Sequence, residues 1–372
     1  MPTSSLTPYL RPLIDRFAVP TVLDAHTHLG CDVDGTACSA ERLLALLDPL
    51  QARAVTFPFC VREGYRTANV AVLDVARAAD GRIVPFCRVD PDDDPVAEAR
   101  RALRAGARGI KLHPHSERFT FAHPRIHDIL AVAADAGAVV LVHAGVGIEP
   151  LGGPLLRAAQ SHPGVPIILA HAAVSDLAWL PEALDEAPNL FVDTSWWSAY
   201  DVLTLFARVP PGRILFASDA PYFEPELTAL VALRCALAVG LDDAAVTSIM
   251  GEQLDRLLAG LAPQDLGPAP GEAAIVRDLR TDRVVGYLAT AFGCALAGGP
   301  VDQGLGLARA ALALPDDDPL AGLASAARDA LDLTGCGPRG LGGLVIASLL
   351  CATPGVPAPS TLPKESSYAS RA

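Results

Sequence analysis

The chain reads as an α/β protein: a closed (β/α)8 barrel of parallel strands followed by a small all-helical C-terminal domain. Three observations predict this. From residue 19 onward, short β-branched apolar runs alternate with segments of helical period. Eight such units fit into about 240 residues, the number and length a (β/α)8 barrel requires. No Gly-rich turn follows the first run, as a doubly wound open sheet would want.

The expected strands are residues 21–28, 54–58, 83–89, 109–113, 139–143, 166–171, 190–194 and 213–218. Ser39 can cap the helix that begins SAERLLALL, Pro95 opens PVAEARRALRAG, and Gly106 and Gly137 stand where helices stop. An extra helical stretch at 242–260 ends the barrel, so the first domain is read as 1–262 and the Pro/Gly-rich passage 263–273 as a linker. Residues 274–355 are Ala- and Leu-rich with helical period and breaks that predict about four helices. Residues 356–372 read as a disordered tail. The uncharged stretch 284–299 is too short to span a bilayer, which needs ~20 apolar residues, and reads as a buried helix.

Composition narrows the class of function. With 372 residues, 51% of them hydrophobic and 19% charged, the chain can bury a full core. Its 29 basic and 42 acidic residues leave −13, which argues against nucleic acid or an anionic membrane as partner and leaves a small-molecule substrate. Eight cysteines sit singly, with no Cys-x-x-Cys pair, and the N-terminus lacks the apolar core of a signal peptide, so a reduced, cytoplasmic setting is expected. Only Lys111 and Lys364 are lysine; every other basic residue is arginine.

Barrel chemistry sits at the C-terminal ends of the strands. There the first strand carries His26 and His28, the fourth Lys111 and His113, the fifth His143, the sixth His171 and the eighth Asp219. Residues i and i+2 of a strand share a face, so His26 and His28 can reach one ion. Five of the nine histidines fall on strand ends, which core packing explains poorly.

The segments DAHTHLG, GARGIKLHPH, VVLVHAG, IILAHAA, NLFVDTS and RILFASDAPY, in that order, resemble the amidohydrolase superfamily of metal-dependent hydrolases, within it the amidohydrolase-2 branch of the TIM-barrel fold, which also holds decarboxylases. The resemblance covers roughly residues 20–260. It implies His26, His28, His143 and Asp219 as metal ligands, with zinc the expected ion, manganese the alternative, and one ion rather than two. Such an ion lowers the pKa of bound water towards ~7. Asp219 would take the proton as general base, and His171 would polarise the reacting carbonyl. Lys111 has three readings: carbamylated and bridging two ions as in two-metal relatives, a plain cation, or a buried partner of a carboxylate such as Asp24.

Arg62, Arg88 and Arg118 follow the second, third and fourth strands and could clamp a substrate carboxylate, with His113 facing the substrate beside Lys111. Trp196 and Trp197, with Tyr222 and Phe223, could wall an apolar pocket. Asp24 could orient a ligand. His123 and His127 read as surface residues, and His162 as a loop residue without a nameable partner. The expected function is hydrolysis of a C–N or C–O bond in a small cyclic amide, lactone or ester. The first alternative is a non-oxidative decarboxylase, which an arginine on the substrate carboxylate beside the metal would mark. The second is a non-catalytic scaffold presenting the helical domain to a protein partner. A homodimer is one option the C-terminal helices leave open.

Overall fold

The computed structural model describes residues 6–17, 19–333 and 341–357; most of the expected C-terminal tail, and Cys336, lie outside these. Nine strands form one sheet: β1 (Leu23–Cys31), β2 (Ala37–Cys38), β3 (Arg53–Pro58), β4 (Ile83–Arg88), β5 (Gly109–Leu112), β6 (Val139–Val142), β7 (Ile167–Leu169), β8 (Leu190–Asp193) and β9 (Ile214–Leu215). β2 is a short antiparallel extension of β1, and the other eight run parallel in chain order. The barrel closes where β1 meets the chain beyond β9: Ala25 N–H donates to Phe216 O, Asp219 N–H to His26 O, and His28 N–H to Ala220 O. The expected (β/α)8 barrel is therefore present.

Two layers of apolar side chains explain why these runs form strands. Leu23, Ala25, Val55, Phe57, Phe86, Leu141, Ile168 and Phe191 fill the barrel interior. Neighbouring residues on the other face pack under the helices, so the strands are buried on both sides and read as continuous apolar runs. Gly109 is required inside: a Cβ there would stand 2.4 Å from the Phe86 ring. Helix Gln253–Leu258 contributes Leu254, Leu257 and Leu258 to this interior and plugs the end opposite the site.

Most strands end one to three residues before the expected C-terminal limit, whereas β3 ends at it and β1 runs three residues past it. His113, His143 and His171 leave the ladder and turn over the barrel mouth. The expected helical stretch 242–260 is broken into Asp243–Thr247, a π turn at Ser248–Glu252 and Gln253–Leu258. The 263–273 passage is mostly irregular but bonded to the barrel: Gln253 holds Gln264 through both its amide atoms, and Gly271 N–H donates to Ala207 O.

Among the described residues four helices follow: Leu279–Leu296, Asp302–Ala311, Ala321–Leu331 and Gly342–Ala352. The last packs on barrel helices Ala199–Arg208 and Pro225–Ala238. Helix Pro225–Ala238 is apolar nearly all round because N-terminal helix Thr7–Phe17 and helix Gly342–Ala352 cover its outer side. Its one buried cation, Arg234, donates to Thr353 Oγ1 (2.6 Å) and to the carbonyls of Thr353, Val356 and Pro357. Among the described residues no helix is long and apolar enough to cross a membrane.

Candidate metal centre

β1 builds the first corner through a bulge. Leu23 and Asp24 pair with Arg53 and Ala54, but Thr27 and His28 pair with Thr56 and Phe57, so β1 carries one extra residue. The bulge keeps Leu23 and Ala25 in the inner core and brings His26 beside Phe57, ring centroids 5.1 Å apart. Asp24, expected to face the imidazoles, instead ties backbone. Its Oδ1 accepts from His26 N–H (3.0 Å) and Ser218 N–H (2.9 Å), joining the first strand to the last. Burial lifts its carboxyl to about 7 against the hydrogen bonds of Ser218 and His26.

Asp219 sits just past β9 with φ 65°, a left-handed conformation that non-glycine residues adopt at a cost of about 1–3 kcal/mol. Its Oδ1 lies 3.1 Å from His26 Nε2 and 3.0 Å from His28 Nε2. Asp193, at the end of β8, accepts from His26 Nδ1–H through Oδ2 (3.0 Å). That fixes the tautomer and turns the lone pair of His26 Nε2 towards Asp219. Both imidazoles are held well below their ordinary pKa, chiefly by burial. A neutral imidazole lone pair facing a carboxyl oxygen at contact distance needs a proton or a cation between them. One ligand atom from each of His26, His28 and Asp219 lies within 4.8 Å of the others, close enough for the three to hold one ion.

His143 stands outside this triad. Its Nε2–H donates to Val146 O (3.0 Å), and its Nδ1 faces His171 Nε2 at 3.0 Å. His171 Nδ1–H donates to Ser195 O (3.0 Å). With both outer nitrogens donating to carbonyls, the two facing nitrogens present lone pairs to each other. Burial keeps both rings neutral, His143 well below its usual pKa and His171 at about 3, so this contact too is short of a proton or cation. Gly145 lets the chain pass: a Cβ there would lie 2.8 Å from His171 and 3.0 Å from His143. His113 stacks on His143 at 3.9 Å.

Lys111 is fully buried, its Nζ 3.4 Å from His26 Nε2 and 4.7 Å above the Phe57 ring. Burial, with Arg88 adding to it, brings its pKa down to about 7. Among the described residues no ion pair joins it to Asp24. Asp219 is raised well above the usual carboxylate range, by burial first, with Lys111 opposing.

The three arginines do not converge on this centre. Arg88, expected at the mouth, is 1% exposed, and its Nη2 and Nε donate to Glu117 Oε1 at 2.7 and 3.1 Å. Tyr65 Oη donates to the same oxygen, and Asn69 brackets the Arg88 backbone from both sides. An inward-pointing strand-end arginine in a filled barrel must be paired, which is why it meets an acid rather than solvent. Arg62 and Arg118 are exposed on the loops after β3 and β5. Tyr222 lies edge-on to His28 (5.7 Å) and donates to Asp32 Oδ2 (2.6 Å). Trp196 lies 6.2 Å from His171, while Trp197 turns outward onto Phe292. His127 and His162 are in fact partners, 3.2 Å apart on the surface.

Sequence reasoning missed Asp193, Ser195 and Glu117. Asp193 carried a usable signal, being an acid at a strand end exactly as His143 and His171 are strand-end histidines. Besides His26, it accepts through Oδ1 from His171 N–H (2.9 Å), Ser195 N–H (2.9 Å) and Ser195 Oγ–H (2.6 Å).

The amidohydrolase family model matches residues 24–252, over half the chain. The chain belongs to the amidohydrolase family. This amidohydrolase is similar in fold to an uncharacterized TIM-barrel protein from Bordetella bronchiseptica, at 16% identity and TM-score 0.51, over 64% of this chain and 99% of that one. It is likewise similar to a 2,6-dihydroxybenzoate decarboxylase from Rhizobium, at 14% identity and TM-score 0.51, over 64% of this chain and 98% of that one. No curated protein matches it. The family is one of metal-dependent enzymes, and the donors of His26, His28 and Asp219 fit a divalent ion.

Proposed function

We propose that this amidohydrolase is a hydrolase with one divalent ion, zinc, held by His26, His28 and Asp219, and that it cleaves a C–N or C–O bond in a small cyclic amide, lactone or ester. The observation that carries the reading is the meeting of two neutral imidazole nitrogens on one carboxylate oxygen, at 3.1 and 3.0 Å. Nitrogen and oxygen donors of this kind suit zinc. When bound, the ion supplies Lewis acidity towards a carbonyl oxygen and towards water.

The protein's own groups divide the remaining work. Asp219, raised in pKa by burial, takes the proton from the attacking water. Held on the raised Asp219 carboxyl, that proton then passes to the leaving group as the C–N or C–O bond breaks. Lys111, buried beside His26, adds positive potential where the carbonyl oxygen gains charge. Hydrolysis is favoured over decarboxylation because the buried arginine nearest these groups is committed to Glu117 rather than open to a substrate carboxylate. The described cysteines are free thiols, which supports a reducing, cytoplasmic setting.

The test is elemental analysis of protein purified without added metal, followed by a panel of lactones, cyclic amides and esters assayed for hydrolysis and, separately, for CO2 release. About one ion per chain and hydrolytic turnover are expected, with Asp219→Asn lowering kcat by about 10²-fold or more. Absence of bound metal, with none taken up on titration, would refute the reading.

A further inference from the structure

Under two thirds of this chain accounts for nearly the whole of the two solved barrels it resembles, and the family match ends at residue 252. The C-terminal helices are thus an addition to a complete barrel. They are not remote from the site. A ladder of rings runs from the metal centre to them: His26 to His171 at 4.9 Å, His171 to Trp196 at 6.2 Å, Trp196 to Trp197 at 5.8 Å, and Trp197 stacked on Phe292 at 3.9 Å and 15°.

Phe292 belongs to helix Leu279–Leu296 and is 2% exposed. The same helix also holds the first turn of helix Ala199–Arg208, which follows the β8 loop: Tyr200 Oη donates to Asp282, which also pairs with Arg277 (2.9 Å), and Arg277 lies over the Tyr200 ring at 5.4 Å. Between these two anchors, Trp196 Nε1–H donates to Asp201 Oδ2 (2.8 Å), and both indoles remain only half-buried. A contact serving only to seal the core would cover them. Here one indole is fixed from behind while its neighbour stands edge-on to His171.

We propose that helix Leu279–Leu296 is a positioning element of the substrate site: Phe292 and Asp282 fix the Trp196–Trp197 segment, which selects ligands with a flat aromatic ring beside His171. The proposal rests on the metal-centre reading above. Aromatic contacts of this geometry are worth about 0.5–1.5 kcal/mol, so a ring-bearing ligand gains up to about tenfold in affinity over its methyl analogue.

The test uses the full chain loaded with zinc and two chelators that share one metal-binding group, acetohydroxamate and benzohydroxamate, titrated calorimetrically. The wild type should prefer benzohydroxamate by several-fold. Phe292→Ala should cut that ratio at least threefold, and Phe292→Tyr, which keeps a ring to stack, should restore it. In a Trp179→Phe background, Phe292→Ala should also make the two remaining indoles more quenchable by acrylamide. Should Phe292→Ala fail to fold, Tyr200→Phe removes only the hydroxyl that holds Asp282 and should lower the same ratio. A ratio unmoved in a folded variant, or a wild type without preference, overturns the proposal. Failure of the wild type to bind acetohydroxamate overturns the metal-centre reading and this proposal with it, a result distinct from a flat ratio.

Discussion

Asp193→Asn isolates how one side chain prepares the metal centre. Of the two carboxylate oxygens, Oδ1 accepts three donors, from His171 N, Ser195 N and Ser195 Oγ, whereas Oδ2 faces only His26 Nδ1. An asparagine would therefore keep its oxygen in the Oδ1 position and place its NH2 against His26. Two N–H groups cannot face each other, so His26 would shift its proton to Nε2, the atom aimed at Asp219. The variant keeps the volume and the three bonds to Oδ1, so the fold should survive, but the ring is left favouring the tautomer whose Nε2 carries the proton. Loss of such an orienting partner lowers metal affinity by about 10–100-fold, or roughly 1.4–2.7 kcal/mol. Competition against a chelator of known affinity measures this directly, with thermal unfolding of the metal-free protein as a control for folding. Zinc affinity within twofold of wild type in a folded Asp193→Asn protein would refute the tautomer argument.

Two further outcomes follow from charged groups away from the centre. Glu117→Leu leaves the Arg88 guanidinium buried without its partner, the two side chains being only 2% and 3% exposed, and should cost about 3–5 kcal/mol in urea unfolding; Arg88→Met added to it should recover much of that loss. Glu98 is pushed up by burial but pulled further down by hydrogen bonds from Arg101 and Asn69, so its folded pKa lies below the unfolded one. Its contribution is therefore complete above the unfolded pKa of about 4.3 and is lost as pH falls through the lower folded value; Glu98→Gln should flatten that acid limb in unfolding measured from pH 3 to 6, and an unchanged limb would contradict the assignment.

The barrel was legible because parallel strands buried on both faces must be apolar throughout, as VVLV of β6 and LFV of β8 are. The strand ends were legible for the opposite reason: imidazoles and a carboxylate are costly to bury without a purpose, so their recurrence at that place stood out. What periodicity could not show is where a side chain is turned by its partner. Arg88 looked available because its acid, Glu117, lies in the next loop and nothing local marks the pair. Asp24 looked like an orienting group because strict alternation puts it on the face of His26, and the bulge between Asp24 and Thr27 removes it. The helix after β7 shrinks to Leu180–Ala183, while Asp176 gathers the neighbouring turn by accepting from Leu151, Gly152, Ser175 and Trp179, a network no window of sequence reveals.

The proposed ligands come from the two ends of the barrel sequence, and the bonds that close the barrel lie among them. Asp219 N–H donates to His26 O and His28 N–H to Ala220 O, each at 2.8 Å, while Asp24 accepts from both His26 N–H and Ser218 N–H. Closing the sheet and gathering His26, His28 and Asp219 are therefore one structural event. The left-handed backbone of Asp219 is tolerated because that closure over-determines it. A divalent ion bound to these side chains would add a third tie across the same seam, so metal binding should stabilise closure of the barrel as a whole, by RT ln(1 + [M]/Kd).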